Sequence, residues 1–513
     1  MSSLYRASTM SALIEAGRDN ASAIGAPERS TLTHGELRVL CARTVNSLNT
    51  MGIGRGDRVA MVLPNGPEMA AAFIAIACGA TTAPLNPAYR TEEFEFYLSD
   101  LNAKALVIAK GMESPALAVA AARGIPVVEL VAGAKAGDFT LHGMTGAGAP
   151  AKGGFAEEGD IALVLHTSGT TSRPKIVPLS HANATASAYH IGNTLLLRED
   201  DVCLNIMPLF HIHGLIAATL SSIAAGASVI CTPGFNALKF FGWFDEAHPS
   251  WYTAVPTMHQ AILTRAERNK EIIAKGRLRF IRSSSASLPP QVMEALEQTF
   301  GVPVIEAYGM TEAAHQMASN PLPPHPRFAG CVGIAAGPDV AIMNEGGALL
   351  TAGELGEVVI RGRNVTTGYE SNPDANAKAF TNGWFRTGDQ GIIDAQGYLR
   401  LTGRLKELIN RGGEKISPLE IDTILMDHPA VAQVVTFAVP HDKLGEDIAA
   451  AVVLREGATS DERELRAFVS SRVADFKVPR RILFLEEIPK GATGKLQRIG
   501  LHEKLAQKLG MAG

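Results

Sequence analysis

The chain is poor in cysteine and in aromatic residues, and no long apolar run passes without a breaker. Its five cysteines (Cys41, Cys78, Cys203, Cys231 and Cys331) are odd in number, scattered and never at CxxC spacing. That pattern argues against a disulfide framework and against a zinc site, and it points to a reduced, cytoplasmic setting. The first residues, MSSLYRASTMSALIEAGRDN, include acidic side chains and no apolar core, unlike a secretory signal. The final KLGMAG is not a peroxisomal SKL-type address. The longest apolar stretch, EMAAAFIAIACGATTAPL, is Ala-rich and stops at Pro84, which suits a buried helix better than a membrane span. Charge of one sign is also missing: 47 Lys and Arg face 51 Asp and Glu, leaving a net charge of -4. No global field would recruit nucleic acid or an anionic membrane, so any anionic ligand has to be held by local groups.

What is present is the composition of a multi-domain globular enzyme. The 513 residues exceed one compact core, and 50 glycines against 3 tryptophans favour a loop-rich α/β fold. DRVAMVLPN, AKALVIA and GIPVVEL read as buried strands, with GPEMAAAFIAIACGA as a helix between the first two. Such alternation predicts parallel sheet built from βαβ units. Residues 132–160 are rich in Gly and Ala and read as a loose connection. The middle third repeats the strand–helix logic in GASVICTPG, PSWYTAVPTMHQAIL, LRFIRSSSASLP and PVIEAYGMTEAA. From about residue 338, short β runs such as GEVVIRGRN and GWFRTGDQGIIDAQGYLRLTGR predict an antiparallel β-rich subdomain. A self-contained α+β pattern follows GRLKELINRGGEKISPLEID, placing a domain boundary near Gly403–Lys406, with domains 1–403 and 404–513.

The segment LVLHTSGTTSRPKIVPLSH holds Thr167, Ser168, Thr170, Thr171 and Ser172 around Gly169, with Lys175 close behind. So polar a run is either a solvated turn or a loop shaped for an anion. Gly169 would let backbone N–H groups approach a phosphate closely, and Lys175 supplies a point charge. The spacing is not GxxxxGK[ST], so a P-loop NTPase is excluded.

TSGTTSRPKIVPLSH resembles the phosphate loop of the adenylate-forming superfamily, which includes acyl-CoA synthetases, luciferases and the adenylation domains of peptide synthetases. MPLFHIHG, EAYGMTE, GWFRTGD, GRLKELINRGGEKISPLEID and PKGATGKLQR stand in that family's order and spacing. The resemblance implies a large N-terminal domain of parallel α/β subdomains and a β-rich subdomain, followed by a small mobile C-terminal α+β domain. It also implies an AMP-forming acid–CoA ligase that uses ATP, Mg²⁺ and coenzyme A. By motif, Thr167, Ser168, Gly169, Thr170, Thr171 and Lys175 would close over the β- and γ-phosphates. Thr311 would touch the α-phosphate, Glu312 would help hold Mg²⁺, and Tyr308 would stack on adenine. Asp389 would take both ribose hydroxyls, with Arg404 beside it. Lys495 would catalyse adenylation. Lys406 matches the pivot of the C-terminal domain, whose Gly412, Gly413, Glu414 and Lys415 would then border the pantetheine tunnel. His211 matches the gate of that tunnel.

Three polar residues fall where the family lines its acyl pocket: His213, Ser285 in RSSSAS and His315 in TEAAH. An alkyl chain gains nothing from such a lining, because buried polar groups need partners. A second carboxylate on the acid would supply them. The same segments resemble the oxalate–CoA ligase branch, whereas malonyl-CoA synthetases carry Arg where this chain has Ala307. The ATP motifs leave two other enzymes open: a medium-chain or aromatic acyl-CoA synthetase, and an adenylation protein loading a carrier-protein thiol. A catalytically silent relative is disfavoured by the joint presence of Lys175, Glu312, Asp389 and Lys495. The small-molecule acid is the expected partner, without nucleic acid or membrane, for a monomer or homodimer. Ser172 and Ile176 stand where glycines are common in this loop. Ile176 would be strained if its position required a left-handed backbone.

Overall fold

The computed structural model describes residues 7–143, 148–167, 174–489 and 498–510. Cα packing divides the chain into two compact units, one of Met1–Val340 with Ile360–Phe385, the other of Ala341–Val359 with Arg386–Gly513.

The first unit contains two large sheets. In one, strands Ser22–Ala26, Ser228–Cys231, Val202–Asn205, Trp251–Ala254, Phe280–Ser284 and Val304–Met310 run parallel in that order. His315–Ser319 and Ile334–Ala335 extend it antiparallel. Side chains of these central strands are buried on both faces, as parallel sheet requires. Phe280 packs with Trp251 on one face, while Ile281 packs with Leu204 and Tyr252 on the other. In the second sheet, Val127–Ala132, Ala105–Ala109, Arg58–Val62, Thr81–Pro84 and Ile161–Thr167 are parallel neighbours. Helix Pro67–Ala77, started by proline in its first turn, is buried at every position but Glu68. These elements match the α/β reading of the sequence. One segment differs: 132–160 is not all loose connection, because Phe139–His142 forms an antiparallel edge strand on Val127–Ala132. Its few β-forming residues are flanked by glycine on both sides, which hid them.

Strand Trp384–Ile393 passes into the second unit, where its residues 389–393 pair antiparallel with Leu399–Arg404. A separate sheet pairs Glu414–Ile416, Ile409–Arg411, Gly445–Leu454 and Val431–His441, with Arg481–Phe484 parallel to Gly445–Leu454. Helices Pro418–Met426 and Glu462–Ser470 complete its α+β core, in which Ile421, Leu425, Leu465 and Val469 are buried. Among the described residues, no helix is long and apolar enough to cross a membrane.

Candidate functional site

Ser285 and His213 follow the carboxyl ends of the parallel strands Phe280–Ser284 and Val202–Asn205, the side at which open α/β sheets place their ligands. His213 opens a π-helix over His213–Leu220 and is buried. π-Turns are uncommon and recur at functional sites. The segment before it folds back closely: a Cβ on Gly214 would lie 2.4 Å from the Pro208 carbonyl oxygen, so only glycine fits. His213 Nδ1 lies 3.0 Å from Ser285 Oγ, and its Nε2 lies 2.6 Å from Thr253 Oγ1. Its ring meets that of His315 edge-on, with centroids 5.1 Å apart. The sheet therefore brings together the three pocket residues read from the sequence.

Two of the three sit in strained backbone. Ser285, just past strand Phe280–Ser284, has φ 72°, and His315 has φ 107° after Ala314 at 48°. Left-handed conformations are unusual for such residues and cluster at functional sites. The turn at His315 is over-determined by its neighbours. Asn364 Nδ2 donates to the carbonyls of Ala313 and Gln316, and a Cβ on Gly309 would meet the His315 carbonyl oxygen at 1.6 Å. Glu306 accepts the Leu288 N–H and so holds the turn beyond Ser285, while burial pushes its carboxyl up to about 8. Arg282 is fully buried on the strand before Ser285 and forms no ion pair among the described residues. Burial pulls its guanidinium down to about 9, which leaves it charged at neutral pH.

Of the residues expected at the phosphates, Thr167 and Lys175 are register partners across an antiparallel pair of strands. Ser168, Gly169, Thr170, Thr171 and Ser172 lie outside the described residues, as does Lys495. Ile176 belongs to strand Lys175–Ser180, is buried and has no positive φ, so its branched side chain fits without strain. Lys175 Nζ lies 4.3 Å from the centre of the Tyr369 ring, whose O–H donates to Glu312 Oε1 at 2.8 Å. Tyr369 thus ties the loop lysine to the expected metal carboxylate, a link the sequence reading missed. Tyr308 is buried on strand Val304–Met310, and Thr311 opens the short turn that carries Glu312. His211 is half-buried, with its ring against Phe210. Among the described residues no cluster of three or more His, Cys, Asp or Glu could cage a metal. A single carboxylate beside a hydroxyl instead fits a Mg²⁺ held largely by substrate phosphates.

In the second unit, Asp389 and Arg404 face each other across neighbouring strands, with Arg404 Nε 2.9 Å from Asp389 Oδ1. Lys406 is exposed in the turn that follows, where the N–H groups of Glu407 and Leu408 return to the Arg404 carbonyl. Gly412 and Gly413, at φ 63° and 99°, form the two-residue connection of a tight hairpin. Two consecutive positive φ values there call for glycine on steric grounds alone. Glu414 and Lys415 follow on its exposed return strand.

Known proteins resemble this chain along most of its length. The model of the AMP-binding enzyme family matches residues 14–370, and that of the AMP-binding enzyme C-terminal domain matches 420–495. The chain belongs to the AMP-binding enzyme family. It is 46% identical over 490 residues to the oxalate–CoA ligase of Arabidopsis thaliana, covering 93% of this chain and 94% of that one. It is 42% identical over 479 residues to the oxalate–CoA ligase of Saccharomyces cerevisiae, covering 88% of each. Its fold superposes on ATP-bound MatB from Rhodopseudomonas palustris with a TM-score of 0.87 at 30% identity, over 97% of this chain and 99% of that one.

Proposed function

We propose that the protein is an ATP-dependent acid–CoA ligase whose acid is oxalate. The observation that supports the acid is the His213–Ser285–His315 cluster: three polar side chains at the strand ends, both histidines buried and two of the three residues in strained backbone. A pocket of that chemistry suits a short acid with a second carboxylate and opposes an alkyl or aryl group. In the first half-reaction a carboxylate oxygen bonds to the α-phosphorus of ATP and pyrophosphate leaves. In the second, the coenzyme A sulfur bonds to the acyl carbon and the bond to AMP breaks. Both steps build negative charge, so the protein acts by neutralisation and alignment.

Thr167 to Lys175 grip the β- and γ-phosphates, and Thr311 touches the α-phosphate. Glu312 would hold Mg²⁺ together with the phosphates, and the ion would supply charge neutralisation. Tyr308 stacks on adenine, and Asp389 accepts from the ribose hydroxyls beside Arg404. Lys495 bridges the attacking carboxylate and the α-phosphate. The domains divide at 403/404, and pivoting at Lys406 exchanges Lys495 for the Gly412, Gly413, Glu414 and Lys415 hairpin. That hairpin borders the pantetheine path, which His211 gates. All five cysteines are buried and free, in keeping with a cytoplasmic enzyme, monomeric or homodimeric. The test is AMP release with ATP, Mg²⁺ and coenzyme A across oxalate, malonate, glyoxylate, hexanoate and 4-coumarate. Oxalate is expected to lead, with an oxalyl thioester as product; preference for hexanoate or coumarate would overturn the assignment.

A further inference from the structure

The acid pocket contains a buried cation that the sequence motifs do not account for. Arg282 and Thr253 are register partners on adjacent parallel strands, both fully buried. Arg282 Nη1 donates to Thr253 Oγ1 at 3.4 Å, Nη2 donates to Gln316 Oε1 at 3.4 Å, and Nε has no hydrogen-bond partner among the described residues. Proton counting then fixes a direction. A guanidinium only donates, so Thr253 Oγ1 is an acceptor toward Arg282. The other partner of that hydroxyl among the described residues is His213 Nε2, at 2.6 Å. If His213 donated from Nε2, the threonine proton would be buried with no acceptor, which is costly. Thr253 therefore donates to Nε2, and the neutral imidazole bears its proton on Nδ1. Nδ1–H in turn donates to Ser285 Oγ, 3.0 Å away, which has no other partner among the described residues. The proton of this half-exposed hydroxyl is left for an acceptor from outside.

We infer that Arg282 is a positioning residue: acting through Thr253 and His213, it polarises a one-way relay that presents the Ser285 hydroxyl as a hydrogen-bond donor to a carboxylate of the acid substrate. The inference rests on the acid-pocket reading above. Arg282 never touches the acid; it sets the tautomer of the residue that orients the group that does. The held left-handed backbone of Ser285 keeps that hydroxyl at the end of the relay.

The test is the tautomer of His213 in the full-length protein labelled with ¹⁵N-histidine, recorded without any acid and assigned by loss of the signal in His213→Gln. A protonated Nδ1 and an unprotonated Nε2 are expected; a protonated Nε2 would overturn the relay. The spectrum needs no substrate, so failure of oxalate in the acid panel leaves it standing, and a wrong tautomer leaves the ligase assignment standing. Thr253→Val removes the link at nearly constant volume. It should raise KM for oxalate about tenfold to a hundredfold, with kcat within about threefold and KM for ATP unchanged, and Thr253→Ser should restore the parent value. An unchanged KM in Thr253→Val, or no rescue by serine, would contradict the inference. If Thr253→Val does not fold, the parent spectrum decides alone.

Discussion

The residues proposed for the acid pocket in the first unit and the hairpin residues of the second are built in opposite ways. His213, Ser285, His315, Thr253 and Arg282 are bonded to one another or packed ring to ring, and most are buried. Gly412, Gly413, Glu414 and Lys415 are exposed, and the Lys415 ammonium makes a loose ion pair to Glu345 at 3.8 Å. A pocket whose groups already hold each other loses little freedom when a small rigid acid arrives. An exposed hairpin gains its partners only when a ligand or a domain movement supplies them. The first region is therefore organised for discrimination, and the second for a step that comes and goes.

Substitutions can break this contrast, and the largest effect is expected at Lys495. Lys495→Ala should lower acyl-adenylate formation by about a hundredfold to a thousandfold, as loss of a charge-stabilising group does. Thioester formation from preformed adenylate should persist; equal loss of both half-reactions would remove the distinction between the two steps. Tyr369→Phe keeps the ring under Lys175 but deletes the hydrogen bond to Glu312. It should weaken ATP binding about tenfold, the scale of one hydrogen bond to a charged group, as read by isothermal titration.

Stability offers a further contrast with pH. Burial lowers His181 to about 4 and His259 to about 3, both in the first unit. Groups held below their unfolded value of 6.5 stabilise the fold above that pH and lose this contribution as pH falls toward the folded values. Thermal unfolding of the full chain should therefore shift to lower temperature between about pH 6.5 and pH 4, and His259→Gln should flatten the slope. A slope unchanged by that substitution would remove His259 from the account. The smallest effect is expected at Gly413→Ala, which forces an alanine to φ 99°. It should cost about 1 kcal/mol in the hairpin and slow thioester formation while leaving adenylation untouched.

Much of this was legible in the sequence, and the parts that were not share a cause. Strand–helix alternation exposed the parallel sheets, since apolar runs between breakers survive without knowledge of their neighbours. His213, Ser285 and His315 were nameable, yet nothing local showed that they meet. In sequence Thr253 and Arg282 look like ordinary strand residues of WYTAVP and RFIRSS. The available signal was a charged side chain inside an otherwise buried strand. Tyr369 was hidden for another reason: its partners Lys175 and Glu312 are far away along the chain, and a lone tyrosine after TTG announces neither. Ile176 stands where glycine is common in the loop, yet it belongs to the strand that begins at Lys175 and has no positive φ, which the residue type alone does not reveal.

The most direct measurement is the steady-state comparison of Ser285→Ala with the parent enzyme, titrating oxalate and ATP separately and following AMP release. KM for oxalate should rise about tenfold or more, the scale of one lost hydrogen bond to a charged group, while KM for ATP stays at the parent value. An oxalate KM equal to the parent's, or a parallel rise in both constants, would contradict a pocket built to recognise the acid.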